Sequence, residues 1–586
     1  MALTKRHSRP PPSPSNDLNS LPSLLVSAPS NPRALNATVT PWPWITGFGL
    51  VLIALRLWYV QHLRIDQDEW QHLHGIWAIG TGQMMYRDFF DNHMPLFHHL
   101  CAPLMQWMGE RSDIITVMRL AVIPFFLGML LLIGVITRSL YNDKLTAWWA
   151  ALFAGLFPVF LFTGTEFRPD QMWTLLWLAA LLVLVCGSIT FARCFWAGVL
   201  LGLAFAVSMK TVLMVSSLAG GAFMACLITG HKPDAKSALG RIGALTAGLV
   251  IAPSCVAAWF VAHGAFHSFW YCVAEHNLRF AQEGSSLKYL RALVFPIGLA
   301  LVFWRSRAIH RSSPSPAAGM RRVLIFATGG IYFSVLLGFW TVLNNETYLP
   351  GFVVLMPALA AGLCGKSWRI APPVIFAAAE LLIVLIARPL SCKVSTSERE
   401  LIGEVLALTR ADDFVMDESG ENIFRRRPFY PVMETLTRQA IKRGEIPDTI
   451  SQDIVKTGTC VVMRSTEYPL ATEAFLDNNF LPFGDLLVAG HDIRRDPGST
   501  SNAMRFDIKV PTRYAFLSRH GALEGTIDGT PYDGPRFLAA GTHAVVPNDD
   551  TKILLVVWDR AVEARFAYDA KSSESPVPPV STGALN

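Results

Sequence analysis

Long apolar segments alternate with short polar connectors through the first two thirds of the chain. Several of these segments reach the roughly 20 residues that a helix needs to cross a lipid bilayer. The pattern predicts about eleven spans, at residues 42–60, 114–137, 145–163, 171–188, 193–209, 211–229, 242–262, 289–305, 322–343, 349–365 and 370–388. The very short gap between the fifth and sixth spans also allows a partly re-entrant pair.

The positions of the basic residues predict the direction of the spans. Basic connectors lie on the cytoplasmic side of bacterial membrane proteins. With a cytoplasmic N-terminus, four basic connectors share that side, at 138–144, 230–241, 305–322 and 365–369. The opposite, periplasmic side then receives the loop 61–113, the segments 164–170, 263–288 and 344–350, and the C-terminal part. We therefore expect a multi-pass protein of the inner membrane with a periplasmic C-terminal domain.

The loop 61–113 contains two segments with apolar residues at helical spacing. In the first, Trp70, Leu73, Ile76 and Trp77 share one side of a helix, and "MPLFHHLCAPLMQWMG" repeats the pattern. Tryptophan favours the headgroup depth of a bilayer, and amphipathic helices lie in that layer. The pattern predicts two helices lying in the outer membrane interface.

The pattern changes beyond residue 390. Residues 391–500 read as a small α/β segment, and 501–572 alternate like strands separated by "DG" and "AG" turns. We expect a soluble α/β segment followed by a β-sandwich-like module, in which Tyr514, Tyr532 and Trp558 either pack the core, which we favour, or stack on sugars. Residues 1–40, rich in Pro and Ser, and the tail 573–586 are expected to be disordered.

Composition supports a membrane protein and excludes two other classes. Only 16% of residues are charged and the mean hydropathy is +0.36, whereas soluble domains carry about 25% charge. The net charge of +6 is spread over connectors and the C-terminal part, so nucleic-acid binding is not expected. The nine cysteines show no CxxC spacing, which argues against a disulfide framework or a cysteine zinc site.

The first candidate for chemistry is the acidic pair Asp68-Glu69, just after the first span. Two carboxylates at a helix start are explained by their favourable interaction with the helix dipole. A carboxylate at the edge of a membrane is also suited to act as a general base, taking a proton from an acceptor hydroxyl. Both interpretations stay open on this motif alone.

Three further segments fall on the same predicted side. "TEFRPDQ" contains Arg168 and Asp170, which form an ordinary polar turn or a second acidic group facing Asp68. Lys210 separates two apolar runs, where it either extends toward the interface or provides a charge for a phosphate. His276 and Arg279 of "AEHNLRF" are candidates to join Lys210.

The segment "YRDFFDNHMPLFHHL" mixes acids and histidines around His93. Its spacing matches no template for metal ligands. Contacts to a phosphate headgroup are therefore preferred, and no residue is assigned to a metal.

Together these motifs resemble those of the GT-C superfamily of membrane glycosyltransferases, in particular its protein mannosyltransferase and aminoarabinose transferase branch. The resemblance covers roughly residues 42–390. The matching positions are Asp68-Glu69 after the first span, "HMPL" at 93–96, Arg119 near the start of the second span, Arg168 and Asp170 before the fourth, and Lys210 after the fifth.

The resemblance implies transfer of a sugar from a polyprenyl-phosphate donor, with inversion at the anomeric carbon. It implies Asp68 as the base, Glu69 as a residue that orients the acceptor or the loop, and Asp170 as a residue that positions a substrate. The acceptor would be an envelope glycan, lipid or protein that arrives from the periplasmic side. Lys210, Arg279 and His93 would hold the lipid phosphate, and the expected substrate contacts also include Arg168, Arg119 and His276.

The sequence departs from the family pattern at three places. Met94 stands where many relatives have a proline, and Glu346 follows two asparagines where many have a basic residue. Asp66, two residues before Asp68, is a second candidate for the general base. Some relatives use a divalent metal, so a metal cofactor is left open.

A flippase for a lipid-linked glycan is the alternative function. Transporters often contain inverted repeats and polar residues near the middle of the membrane. The chain shows no convincing repeat, and its polar residues gather at one predicted face. This distribution favours chemistry at the interface over transport.

Overall fold

The structure of the protein, a computed structural model, describes residues 41–280, 291–340, 344–365, 370–390, 394–495, 501–518 and 521–564. The segment 1–40 and the tail 573–586, both predicted to be disordered, lie outside these ranges.

The membrane part is helical, and a helix or a pair of consecutive helices lies at each of the eleven predicted spans. Asn142 and Gly230 adopt left-handed conformations that end two of these helices. The helices are α1 (Trp42–His62), α2 (Gln67–Gly80), α3 (Leu96–Met108), α4 (Ile114–Ala121), α5 (Ile123–Tyr141), α6 (Lys144–Leu156), α7 (Pro158–Thr163), α8 (Asp170–Val185), α9 (Phe191–Val207), α10 (Thr211–Thr229), α11 (Ala235–Ala262), α12 (Phe266–Trp270), a π-helical turn (Tyr271–Glu275), α13 (His276–Phe280), α14 (Val294–Arg311), α15 (Pro316–Phe339), α16 (Asn345–Cys364) and α17 (Ala371–Ala387).

By length and composition, six helical stretches of the described residues are able to cross a membrane. They are Trp42–His62, Ile114–Tyr141, Thr211–Thr229, Ala235–Ala262, Pro316–Phe339 and Asn345–Cys364. Three shorter apolar helices, α8, α9 and α17, accompany them. The chain is therefore a multi-pass membrane protein, as the sequence predicts.

Small residues bring α9 and α11 close together. A Cβ atom added to Gly198 would lie 2.1 Å from the Leu245 carbonyl oxygen, and one added to Gly248 would lie 2.2 Å from that of Phe195. Between helices in lipid, close backbone contact replaces the hydrophobic driving force that operates in water. These two glycines therefore allow the helix contact to form.

Helix α2 is buried within the protein, which contradicts the prediction that its apolar side faces the membrane interface. All ten residues from Glu69 to Ala78 are buried, the polar ones included. The C-terminal domain covers the helix: His74 Nδ1 lies 3.1 Å from the Ile423 carbonyl oxygen, and Gln67 donates to Ser419 Oγ at 2.6 Å. Helix α3 keeps an exposed apolar side with Trp107, which is 79% exposed.

The described residues of the C-terminal domain form two sheets and five helices. The larger sheet has the order β1-β2-β4-β12-β6-β10, with β3 beside β4 and β7 beside β6, and the smaller has the order β5-β11-β8-β9. The elements are α18 (Val394–Leu408), β1 (Val415–Met416), α19 (Thr435–Lys442), α20 (Ile450–Thr457), β2 (Val461–Met463), α21 (Leu470–Asn479), β3 (Phe480–Phe483), β4 (Leu486–Arg494), β5 (Met504–Ile508), β6 (Thr512–Ser518), β7 (Gly521–Ala522), β8 (Gly525–Ile527), β9 (Thr530–Pro531), β10 (Arg536–Leu538), β11 (Gly541–Pro547), β12 (Ile553–Trp558) and α22 (Asp559–Glu563).

The two predicted C-terminal segments share one sheet. Strand β12, from the second segment, pairs antiparallel with β4, from the first, with Val556 opposite His491. The two sheets also share a core, in which the Phe506 and Phe516 rings contact each other across the sheets. Tyr514 and Trp558 are buried in this core, as the favoured interpretation predicts.

Gly420 allows the C-terminal domain to approach α2. Its φ of +111° is unfavourable for other residues, and an added Cβ would lie 2.6 Å from His74 Cβ and 3.1 Å from the Trp70 carbonyl oxygen. Both the backbone conformation and the contact therefore require glycine.

We predict that Gly420→Ala destabilises the protein by about 3 kcal/mol, because it combines backbone strain with overpacking. The matched control is Gly444→Ala, where φ is +71° and nothing lies within 4 Å of the added atom. This control should lose only about 1 kcal/mol. Thermal unfolding in detergent, followed by tryptophan fluorescence, measures both. Equal losses would contradict the close packing of Gly420 on α2.

Candidate active site

Arg168 lies at the centre of a cluster of carboxylates. Its guanidinium is 2.6 Å from Asp68 Oδ2 and 2.7 Å from Asp66 Oδ1. Three further acids surround it, with Asp170 Oδ2 at 3.3 Å, Glu346 Oε1 at 3.5 Å and Glu166 Oε2 at 3.6 Å. With Lys210, whose Nζ lies 3.4 Å from Glu346 Oε1, these residues form what we call the Arg168 cluster.

Four helices begin at the Arg168 cluster. Asp68 lies in the first turn of α2, Asp170 is the first residue of α8, and Glu346 lies in the first turn of α16. Lys210 directly precedes α10, at the break that separates it from α9. The N-terminus of a helix carries a partial positive charge and free N–H groups. The convergence of four such ends suits this position to carboxylates and to a phosphate.

Asp66 has a defined structural role. It is the N-cap of α2, and its side chain accepts from the Asp68 backbone N–H at 3.1 Å. Burial raises the pKa of this carboxyl, against the opposing effect of Arg168. Asp68 is free of any capping role among the described contacts, and its side chain is 31% exposed. The capping contact distinguishes the two acids, but exposure does not, since Asp66 is 44% exposed.

The cluster holds more acids than bases. Five carboxyl groups share the positive charges of Arg168 and Lys210. Burial alone would lower the pKa of Arg168, but the carboxylates of Asp68, Glu346 and Asp170 raise it well above its usual value. Burial also raises the pKa of Glu166 to about 8, despite the attraction of Arg168. At neutral pH, Glu166 is therefore largely protonated, which reduces the repulsion among the acids.

Glu69 and Arg119 lie behind the cluster as a buried ion pair. Arg119 donates to the two carboxylate oxygens at 2.7 and 2.5 Å, and both side chains are at most 1% exposed. Arg119 also donates to the Leu63 carbonyl at 2.8 Å, and the Phe167 N–H donates to Glu69 at 2.8 Å. The pair joins the end of α1, α2, α4 and the 164–169 loop, so Arg119 is not accessible to a substrate.

His93 and His276, both predicted to contact a substrate, lie in different surroundings. His93 is close enough to Asp68 and Lys210 to interact with their charges, and it is 27% exposed. His276 is fully buried and lies 2.9 Å from Glu434 Oε1, so it joins α13 to the C-terminal domain. Helix α13 includes Arg279, but the side chain of Arg279 lies outside the described part of the structure.

Sequence reasoning missed several residues of this site. Glu346 was noted only as a departure from the family pattern, yet an acid in the first turn of a membrane-spanning helix is a signal for a buried partner. Glu166 precedes Arg168 by two residues and received no role. A buried cluster of His72, Asp91 and His98 also lies next to the Arg168 cluster, and tertiary contacts alone bring these three together.

The chain has the fold of a polytopic helical membrane protein whose sheet-containing domain packs against helix α2. ArnT from Cupriavidus metallidurans in the apo state shares this fold, with a TM-score of 0.51 and 14% sequence identity over 76% of this chain and 98% of that chain. The fold expected from the GT-C resemblance is thus confirmed.

Two further solved structures give lower TM-scores. ArnT from Cupriavidus metallidurans bound to undecaprenyl phosphate gives a TM-score of 0.45 and 16% identity, with 76% of this chain and 98% of that chain covered. The apo oligosaccharyltransferase of Archaeoglobus fulgidus gives 0.41 and 11% identity, with 88% and 77% covered. Neither a protein-family model nor a curated protein sequence matches the chain.

We predict that Glu69→Gln destabilises the protein by about 3–5 kcal/mol, because it leaves the Arg119 charge buried without a partner. The double variant Glu69→Gln/Arg119→Gln should recover part of this loss. Thermal unfolding in detergent measures the effect. The control is Arg111→Gln, which removes an exposed ion pair with Asp113 and should cause no measurable change. A stable, fully folded Glu69→Gln would contradict the anchoring role.

Proposed function

We propose that the chain is an integral-membrane glycosyltransferase. It transfers a sugar from a polyprenyl-phosphate donor to an envelope glycan, lipid or protein at the periplasmic face of the inner membrane. The observation that carries this proposal is the Arg168 cluster, in which a partly exposed carboxylate and a partly exposed lysine lie at converging helix starts. A donor dissolved in lipid and an acceptor dissolved in water can meet only at such an edge.

The fold similarity to apo ArnT supports the donor class. ArnT from Cupriavidus metallidurans has been crystallised with undecaprenyl phosphate, a polyprenyl phosphate. We infer that this chain uses a carrier of the same chemical class, with the lipid tail in the bilayer and the phosphate at the outer face.

Asp68 is the proposed general base. Arg168 donates to Asp68 Oδ2 at 2.6 Å and so orients the carboxylate. Oδ1 takes the proton of the acceptor hydroxyl while the hydroxyl oxygen attacks the anomeric carbon. The new C–O bond forms as the bond from that carbon to the phosphate oxygen breaks. Asp170, held by the same guanidinium at 3.3 Å, positions the substrates.

Lys210 is the proposed contact for the departing phosphate. Negative charge develops on the phosphate as the bond to the sugar breaks, and the carboxylates of the cluster would repel it. Lys210 is 30% exposed and lies at the start of α10, so it presents a cation together with a helix N-terminus. His93, close to both Lys210 and Asp68, is the proposed second contact. Glu69 and Arg119 support the site from behind.

We predict that Asp68→Asn lowers the rate of sugar transfer by roughly a hundredfold to ten-thousandfold, the range for loss of a general base. Purified protein in lipid vesicles would receive a panel of radiolabelled polyprenyl-phosphate sugars and envelope extract as acceptor. The control is Asp88→Asn, which changes an exposed acid of the same loop that pairs with Arg87. It should transfer at the wild-type rate.

Three outcomes would count against this proposal. Transfer by a folded Asp68→Asn at nearly the wild-type rate would exclude Asp68 as the base. Equal losses in Asp68→Asn and Asp88→Asn would show a general effect on the loop. Absence of transfer by the wild type, with labelled lipid crossing the bilayer, would favour a flippase over a transferase.

We also predict that Lys210→Met weakens binding of polyprenyl phosphate by roughly tenfold to a hundredfold, as expected for loss of a charged hydrogen bond. Lys210→Arg keeps the charge and should retain most of the affinity. Product inhibition of the transfer reaction by added polyprenyl phosphate measures both variants. Unchanged inhibition in Lys210→Met would remove Lys210 from the phosphate site.

A further inference from the structure

A buried group of three ligand-type side chains lies beside the Arg168 cluster. His72 is on α2, one helical turn after Asp68, and His98 is on α3, while Asp91 lies in the segment between the two helices. Each of the three residues is 0% exposed. One ligand-type atom from each of the three side chains lies within 4.8 Å of the other two.

Hydrogen bonding alone does not satisfy this group. His98 Nε2 lies 3.1 Å from His72 Nδ1 and 3.4 Å from Asp91 Oδ2. One ring nitrogen carries at most one proton, so it cannot make a full hydrogen bond to both neighbours. Asp91 Oδ2 is buried and has no hydrogen-bond partner among the described residues. A buried carboxylate oxygen without a partner carries a large desolvation cost.

Two of the three separations between ligand atoms match those around a metal ion. Zinc is held by imidazole nitrogens and carboxylate oxygens at about 2.0–2.2 Å in tetrahedral geometry, which separates neighbouring ligand atoms by roughly 3.3 Å. The distance of 3.1 Å from His98 Nε2 to His72 Nδ1 and that of 3.4 Å from His98 Nε2 to Asp91 Oδ2 are close to this value. A cation among the three atoms would use their lone pairs together and would give Asp91 Oδ2 its partner.

The surroundings are also those of a metal ligand. The second oxygen of Asp91, Oδ1, accepts from the His93 backbone N–H at 2.8 Å and lies 3.0 Å from His93 Nδ1. Such outer contacts orient a ligating carboxylate. Gly75 lies against the group on α2, where an added Cβ would be 3.2 Å from Asp91 Oδ2 and 3.4 Å from His98 Cδ2. The glycine leaves space beside the ligand atoms.

We propose that His72, Asp91 and His98 bind a divalent metal ion of the zinc class. The ion ties α2 to α3 and to the segment that carries His93. Three protein ligands leave one tetrahedral position for a water molecule or another oxygen ligand. The site stands on these contacts and does not depend on the proposed transferase activity. It goes beyond the sequence analysis, which assigned no residue to a metal and left a metal cofactor open.

Metal binding to the purified full-length protein in detergent tests this proposal. Protein stripped with a chelator is titrated with Zn²⁺, and the bound metal is counted by mass spectrometry after removal of excess. Co²⁺ replaces Zn²⁺ in a second titration, because tetrahedral cobalt has intense visible absorption bands. We expect one equivalent of each metal, with the tetrahedral spectrum for cobalt.

The matched variants are His98→Gln and His99→Gln. They change neighbouring histidines of α3, but His99 Nδ1 instead lies 2.9 Å from the Pro95 carbonyl oxygen. We expect His98→Gln to lose the bound equivalent and His99→Gln to keep it. Loss in both variants, or retention in both, would overturn the proposal. So would a wild type that binds no stoichiometric metal, which would leave a hydrogen-bonded triad as the explanation.

If His98→Gln does not fold, Asp91→Asn provides a second test. Asp91→Asn keeps the size of the side chain and an oxygen to accept from the His93 N–H, but it removes the charged ligand. We expect it to lower the zinc affinity at least tenfold and to abolish the rise in thermal unfolding temperature that zinc causes in the wild type. An unchanged zinc-dependent rise in Asp91→Asn would overturn the proposal.

Discussion

The arrangement of the candidate active site depends on one buried guanidinium. Arg168 lies between five carboxyl groups that come from three separate parts of the chain, at α2, at α8 with its preceding loop, and at α16. Without this charge the acids would repel one another at the starts of helices that must converge. With the Arg168 charge present, the helix N-termini and the carboxylates pack together, and Asp68 stays partly exposed.

A second layer of contacts supports this arrangement from both sides. Behind it, the Glu69–Arg119 pair fastens the end of α1 and the 164–169 loop to α2. Above it, the C-terminal domain covers α2 and buries the polar side chains of that helix. The domain therefore forms part of the wall around the site. Its position also fits an acceptor that reaches the membrane edge from the aqueous side.

The Arg168 cluster and the histidine group have contrasting chemistry. The first is rich in acids, and its Asp68 and Lys210 are partly exposed. The second is enclosed and contains nitrogen ligands beside a single carboxylate. Both lie along α2, with Asp68 and His72 one turn apart on the same helix. A change in the position of α2 would therefore alter both.

Much of this could be predicted from the sequence, because hydrophobicity and helix starts are local properties. The predicted spans match helices, strands are present within 501–572 as predicted, and Asp68, Asp170, Arg168 and Lys210 come together as their common predicted side requires. The residues that were missed or misplaced depend on contacts between distant segments. Glu346 meets Arg168 across 178 positions of the chain, and the burial of α2 requires a domain more than 300 residues later.

The sequence by itself determined the membrane class, the approximate spans and the acidic edge, since a bilayer selects for apolar length and places charge at its boundary. Only the tertiary structure decided that Asp66 caps α2 and that Arg119 is a buried anchor. It also brought His72, Asp91 and His98 together. The reason is physical: a side chain's partner, and therefore its charge and its exposure, is set by the packing of segments that are far apart in the chain.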